Sequence, residues 1–214
     1  NHWLKQNSTW LVDRNYNQNL KVTNIVFMGM GEPLDNVDAL LPSVAILKDP
    51  WGLAIAPRCI TVSTAGHLEG LEKFIQSNPN VSLAFSLHSA KESLRNKIMP
   101  INRKYSLTDI LKKMEEYAEK NNREIFIQYT LFSGVNDGEE DAVALADLLR
   151  DKPAKVNLIP FNEVDFSALR RPDDSVVREF QKSLLGKGIR TTVRFSKGRD
   201  IQAACGQLVR EGVK

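Results

Sequence analysis

Six short apolar runs alternate with helix-like segments, and this alternation constrains the fold more than any other feature of the sequence. The runs predicted as strands are residues 23–28, 59–63, 82–87, 124–132, 155–159 and 190–195. Most are compact apolar blocks, which is typical of parallel strands that are covered on both faces. Strands that alternate with helices in units of about thirty residues or more predict βα repeats on a parallel sheet.

Three amphipathic helices are predicted from apolar residues that recur on one face. The clearest is Leu107–Lys120, preceded by Ser106 with Asp109 three residues later as a cap signal. The second follows Gly138, and the third covers approximately residues 174–185. The residues expected on the buried faces are Leu107, Ile110, Leu111, Met114 and Ala118, then Ala142, Leu145, Ala146 and Leu149, then Val177, Phe180 and Leu184.

Six such units can form an open doubly wound sheet or a barrel-like sheet, and they fall short of the eight of a complete barrel. We expect an α/β fold, a partial (β/α)6 barrel in a single domain over residues 1–214. With 42% hydrophobic and 26% charged residues, the composition is that of a soluble globular domain. Two cysteines and no signal peptide favour the cytoplasm, and no apolar run is long enough to span a membrane.

Polar residues follow four of the predicted strands at the point where each ends. Gly31 and Glu32 follow the first, Ser63 closes the second, Ser86 and His88 close the third, and Asn162 follows the fifth. In parallel α/β sheets these ends share one rim, where ligands bind. Each residue also has a structural explanation: Ser63 as a helix cap, His88 as a hydrogen-bonded core histidine and Asn162 as a turn residue.

The segment from Gly198 to Leu208, GRDIQAACGQL, places Cys205 between a small residue and a glycine, after a basic run. Nearby cations favour the nucleophilic thiolate. The alternative is that Cys205, like Cys59, is a small apolar residue and that the basic residues are solvated. No Ser-His-Asp arrangement or metal-ligand spacing is evident, so a hydrolase is disfavoured.

Several motifs together resemble the bacterial RNA adenine carbon-2 methyltransferases, which are radical S-adenosylmethionine enzymes. The motifs are GMGEPLDN, VSTAG, SLHSAKESLRNKIMPINRKY, GVNDGEEDAVALADLL, VNLIPFN and DIQAACGQL. The related adenine carbon-8 methyltransferases share several of them and remain an alternative. The resemblance implies a TIM-like radical S-adenosylmethionine barrel, acting on large-subunit ribosomal RNA and transfer RNA. It also implies an external electron donor, and we expect a monomer.

The resemblance also implies roles for individual residues. Gly31 and Glu32 match the motif that holds the methionyl amino group of S-adenosylmethionine, and Cys205 matches a cysteine that is methylated and then carries the methyl group. In such enzymes a second S-adenosylmethionine yields a radical that activates the methylated thiol for addition to adenine. The positions that match the rest of the cofactor site are Ser63, Ser86, Leu87, His88 and Asn162.

The sequence departs from that family in its cysteines. The family binds a 4Fe–4S cluster through a CxxxCxxC motif that is absent from this chain, as are the accessory domain and the first strand. We therefore expect a fragment that holds the cofactor but does not turn over alone. The competing hypothesis is a non-catalytic module that binds S-adenosylmethionine or RNA. Basic residues that are candidates for phosphate contacts are Arg95, Lys97, Arg103, Lys104, Arg170, Arg171, Arg190, Arg194, Lys197 and Arg199.

Overall fold

A six-stranded parallel sheet forms the centre of the protein. The computed structural model describes residues 12–13, 18–19, 22–29, 31–163 and 167–195. The chain first forms a two-stranded antiparallel ribbon, β1 (Val12–Asp13) and β2 (Gln18–Asn19). The strands of the main sheet are β3 (Ile25–Phe27), β4 (Ile60–Thr64), β5 (Ser82–Ser86), β6 (Ile125–Leu131), β7 (Ala154–Pro160) and β8 (Thr191–Val193). All six predicted strands are confirmed, and each end differs from the prediction by at most two residues.

Within the described ranges, six α-helices connect these strands. They are α1 (Val37–Lys48), α2 (Leu68–Ser77), α3 (Glu92–Ile98), α4 (Leu107–Lys120), α5 (Glu139–Leu149) and α6 (Asp174–Gly186). The three predicted helices correspond to α4, α5 and α6, and every apolar residue that was expected on their buried faces is buried. Ser106 occupies the N-cap of α4, although its side chain makes no capping hydrogen bond.

The strand order decides between the two predicted architectures. The strands lie side by side in chain order from β3 to β8, and every adjacent pair is parallel. In a doubly wound sheet the order in which strands are added reverses at a switch point, whereas in a barrel each new strand is added on the same side of the last. Right-handed crossovers in one direction place all the helices on the same face. The fold is therefore α/β with barrel-type winding, as predicted.

Alternate residues of each strand separate into two faces. Residues such as Val62, Phe85 and Leu158 are buried with the helices in one core. We call this side of the sheet the helix face. The opposite side, the inner face, is formed by the intervening residues. Register pairing places on it Thr61, Ser63, Ala84, Ser86, Gln128, Asn157 and Thr192.

Candidate functional site

The loop after β3 presents a carboxylate whose orientation is fixed by backbone donors. Gly31 has φ +105°, a conformation that side chains rarely adopt, and a Cβ there would meet nothing within 4 Å. Glu32 follows, and its Oε1 accepts from the Leu34 amide at 3.0 Å. Its Oε2 accepts from the Ala65 amide at 2.7 Å, which joins the ends of β3 and β4. Each carboxylate oxygen keeps a lone pair for a further donor.

Ser63 lies on the inner face, one residue before the end of β4. Its hydroxyl donates to the Phe27 carbonyl at 2.8 Å, so its oxygen can still accept from a ligand. The helix-capping explanation for Ser63 is wrong, because Thr64 and His67 make the local side-chain contacts. Thr64 Oγ1 accepts from the amides of Gly66 and His67, and His67 Nδ1 accepts from the Gly70 amide at 3.0 Å.

The segment after β5 is held by its backbone and by one imidazole. The side chain of Leu87 is fully buried in the core, so only its backbone amide and carbonyl could contact a ligand. His88 has φ +56°, and its Nδ1 accepts from the Thr130 amide at 3.0 Å. Burial, with a smaller contribution from the positive charge of Arg95, lowers the pKa of His88 to about 4. At neutral pH the ring is therefore uncharged, and Nε2 carries the proton.

Asn136 holds the His88 segment against the end of β6. Its side chain is fully buried and donates to the carbonyls of His88 at 2.7 Å and Thr130 at 2.8 Å. Its Oδ1 accepts from the Phe132 amide at 2.7 Å. The residue lies in the GVNDGEEDAVALADLL motif, but no individual role was predicted for it.

Arg95 is a second organising residue, and the suggestion that it contacts RNA phosphate is wrong. Its side chain is fully buried, and its guanidinium lies 4.8 Å from the centre of the Phe85 ring. It donates to the carbonyls of Ala65 and Ser86 at 2.8 and 2.9 Å, and also to that of Leu87. Burial lowers the pKa of Arg95 to about 10, so it remains charged at neutral pH. This cation therefore ties the ends of β4 and β5 together.

The structure brings some of the predicted site residues into one connected group. Glu32 bonds to Ala65, Ala65 bonds to Arg95, and Arg95 bonds to the Ser86–Leu87 backbone. Asn162 is buried two residues beyond β7, on the other side of β6 from this group. Cys205 lies outside the described residues. Cys59, in contrast, is partly exposed just before β4, at the end of the strand away from the rim.

A groove of about 630 Å³ lies along the edge strand β3. Gly31 and Glu32 line it together with Val26, Asn36 and Ser43, so it extends from the rim toward α1. The other predicted binding residues do not line it. Glu32 is thus the residue that the groove and the hydrogen-bonded rim share.

Several of the basic residues that were predicted to contact phosphate pair within the fold. Lys104 pairs with Glu69 at 3.3 Å, Arg171 with Asp174 at 2.7 Å, and Arg190 with Glu124. Exposed pairs such as Lys104–Glu69 contribute little energy and are screened by salt. They give no indication of where a nucleic acid would lie. No helix in the described part of the chain is long and apolar enough to cross a membrane.

Comparison with known proteins identifies relatives over most of the chain. The Radical SAM superfamily model matches residues 12–146. A probable dual-specificity RNA methyltransferase RlmN 2 of Protochlamydia amoebophila is 44% identical over 195 residues, covering 90% of this chain and 54% of the relative. A probable dual-specificity RNA methyltransferase RlmN of Moorella thermoacetica is 45% identical over 188 residues, covering 88% and 53%. The chain thus spans about half the length of the curated relatives it matches.

Solved structures agree with this result. A radical SAM methyltransferase from Sphaerobacter thermophilus superposes with a TM-score of 0.84 at 39% identity, covering 91% of this chain and 56% of that one. A domain of a pyruvate-formate lyase-activating enzyme from Bacteroides vulgatus has a TM-score of 0.59 at 21% identity, covering 80% and 98%. The second likeness shows the fold alone.

Proposed function

The chain belongs to the radical S-adenosylmethionine superfamily, and on this basis we propose that it is the cofactor-binding core of an RNA methyltransferase. The single observation that carries the proposal is the hydrogen-bonded rim that connects Glu32, Ala65, Arg95 and Leu87. The names of the relatives that are 44% and 45% identical support RNA as the substrate class. S-adenosylmethionine, when bound, supplies a methyl group and, on one-electron reduction, a radical that can abstract hydrogen.

In this proposal the rim recognises the polar groups of S-adenosylmethionine. Glu32 accepts hydrogen bonds from the ammonium group, since its carboxylate is already oriented by two backbone amides. The neutral His88 donates from Nε2 to a carboxylate or hydroxyl oxygen, because its Nδ1 is occupied by the Thr130 amide. Gly31 lets the ligand approach the backbone closely. Ser63, Ser86 and Asn162 supply further polar contacts along the rim.

The proposed target is carbon-2 of adenine in ribosomal or transfer RNA, with Cys205 as the methyl carrier. Adenine carbon-8 is the alternative target. The residues of this chain do not fit an iron–sulfur cluster, because such clusters need several thiolates and the chain has two cysteines. Those two cysteines are 146 positions apart and form no cluster motif. We therefore propose that the 214-residue chain binds S-adenosylmethionine without turnover by itself.

Isothermal titration of the 214-residue chain with S-adenosylhomocysteine tests the proposal. The wild-type chain should bind it, and Glu32→Gln should weaken binding at least tenfold, because the amide removes the negative charge that pairs with the ammonium. Glu92→Gln, at the exposed start of α3, is the matched control and should bind like the wild type. Absence of binding by a folded wild-type chain would contradict the proposed function.

A second measurement separates the methyltransferase from the non-catalytic module. The chain, together with its natural flanking sequence, is expressed in a bacterial host. The host's RNA is then digested and examined by mass spectrometry for 2-methyladenine. Cys205→Ala should abolish the product, while Cys59→Ala should retain it. Retention of full activity in Cys205→Ala would refute the carrier role, and no methylated base from the wild type would favour the binding module.

A further inference from the structure

A row of hydrogen-bonded side chains crosses the inner face of β6, β7 and β8, and no role discussed above accounts for it. Gln128 and Asn157 are register partners, and so are Asn157 and Thr192. Asn157 Nδ2 donates to Gln128 Oε1 at 2.9 Å, and Thr192 Oγ1 donates to Asn157 Oδ1 at 3.3 Å. We call these three residues the amide ladder.

The ladder leaves one strong donor group without a partner. Gln128 is only 8% exposed, and its Nε2 donates to no group in the part of the chain that the structure describes. The Nε2 atom itself is not fully buried, so it adjoins solvent-accessible space on the inner face. Because Asn157 holds Oε1, the position of Nε2 is fixed as well. A side chain that is held in one orientation and has an unused, accessible donor is available to a ligand.

The surroundings place the ladder beside the proposed cofactor segment. Gln128 is the register partner of Ser86 on the neighbouring strand, and its carbonyl accepts from the Leu87 amide at 3.0 Å. Adjacent strands lie about 4.8 Å apart, so the side chains of Gln128 and Ser86 are neighbours on the inner face. Two residues earlier on the same face, Phe126 lies beneath the Lys155 ammonium at 4.1 Å. The Phe126–Lys155 pair bounds the inner face on the side of Gln128 away from the rim.

We propose that the Gln128 side chain recognises the edge of an adenine base. A glutamine amide matches adenine because Nε2 donates to a ring nitrogen while Oε1 accepts from the exocyclic amine. Oε1 has a second lone pair available although Asn157 uses the first. Asn157 and Thr192 act as positioning residues that hold the amide in this orientation. The inference rests on the proposed function, since the adenine belongs either to the cofactor or to the RNA target.

Titration with base-modified ligands tests this inference. The 214-residue chain is titrated with S-adenosylhomocysteine and with S-inosylhomocysteine, in which hypoxanthine replaces adenine. If the cofactor provides the base, the wild type should prefer adenine about tenfold or more. Gln128→Met should lose most of that preference, because methionine keeps the length of the side chain but offers no amide. Gln181→Met, a matched change behind β8 on α6, should keep the preference.

A second titration tests whether the adenine that Gln128 recognises belongs to the RNA target. With S-adenosylhomocysteine saturating, the chain is titrated with a short oligoadenylate and with an oligoinosinate of equal length. If the target base occupies the subsite, Gln128→Met should reduce the adenine preference in this arm only.

Unchanged base preference of Gln128→Met in both arms would overturn the inference while leaving the proposed function intact. Failure of the wild type to bind S-adenosylhomocysteine, with a Gln128-dependent preference for oligoadenylate, would refute the proposed function and support the inference. Failure to bind any adenine ligand would overturn both.

Discussion

The helix face and the inner face of the sheet are built from alternate residues of the same strands, so they share a backbone and differ in chemistry. On the helix face of β4 and β5, Ile60, Val62 and Phe85 are fully buried. On the inner face, the residues next to them are Thr61, Ser63 and Ser86. Closed barrels usually fill this interior with bulky apolar residues. The polar residues of the inner face therefore contribute little to the core, and Ser63 and Ser86, which are only partly buried, can be reached by a ligand.

The largest expected difference between the faces concerns the stability of neighbouring residues on β5. Phe85→Ala should lower the free energy of unfolding by about 3–5 kcal/mol, because it leaves a cavity in the core. Ser86→Ala, one residue later, should change it by less than about 1 kcal/mol and should instead weaken binding of S-adenosylhomocysteine. Urea denaturation and calorimetric titration measure the two effects. Equal destabilisation by both variants would show that the two faces do not divide these roles.

Arg95 is an exception to the division between the faces, because it is a polar residue on the core side that serves the rim. Arg95→Met should lower the free energy of unfolding by about 2–3 kcal/mol, since the carbonyls of Ala65, Ser86 and Leu87 lose their buried donor. Arg103→Met, in the exposed turn after α3, is the control and should be near neutral. If the two arginine variants unfold at the same urea concentration, the organising role of Arg95 is wrong.

A smaller effect is expected at His88, which titrates differently in the folded and unfolded states. Its pKa is lowered to about 4 in the fold, whereas an unfolded chain has a value near 6.5. Between these two values the unfolded state binds more protons, so stability should fall as the pH decreases from about 6.5 toward 4. His88→Asn should reduce this slope, because asparagine tolerates the positive φ and does not titrate. Urea denaturation at several pH values measures the slope, and an unchanged slope in the variant would exclude His88 as its source.

Much of the fold could be predicted from the sequence because its strongest signals are local. The six strands and the helices α4, α5 and α6 follow from apolar periodicity. Helices α1, α2 and α3 were not singled out: Pro42 interrupts the first, and the third is short and polar. The expectation that the strands are covered on both faces holds for β5 but not for β4 or β7, where burial alternates. Compact apolar runs do not reveal which face a ligand uses.

The candidate site was predictable in position but not in its connections. The polar residues at strand ends were visible in the sequence, since parallel strands share a rim. Their roles remain predictions, and Cys205 lies outside the described residues. The organising roles of Arg95 and Asn136 and the amide ladder were missed, because each includes a partner 29 to 48 positions away that becomes a neighbour only in the folded chain. A buried arginine has no local sequence signature that distinguishes it from a solvated one.

Whether the inner face and its rim bind the cofactor can be decided by hydrogen exchange of the 214-residue chain with and without S-adenosylhomocysteine. We expect slower exchange of backbone amides at the rim, in the loops after β3, β4 and β5, with little change in helices α4 and α6. Protection confined to the helices, or to α1 beside the β3 groove, would contradict cofactor binding at the rim.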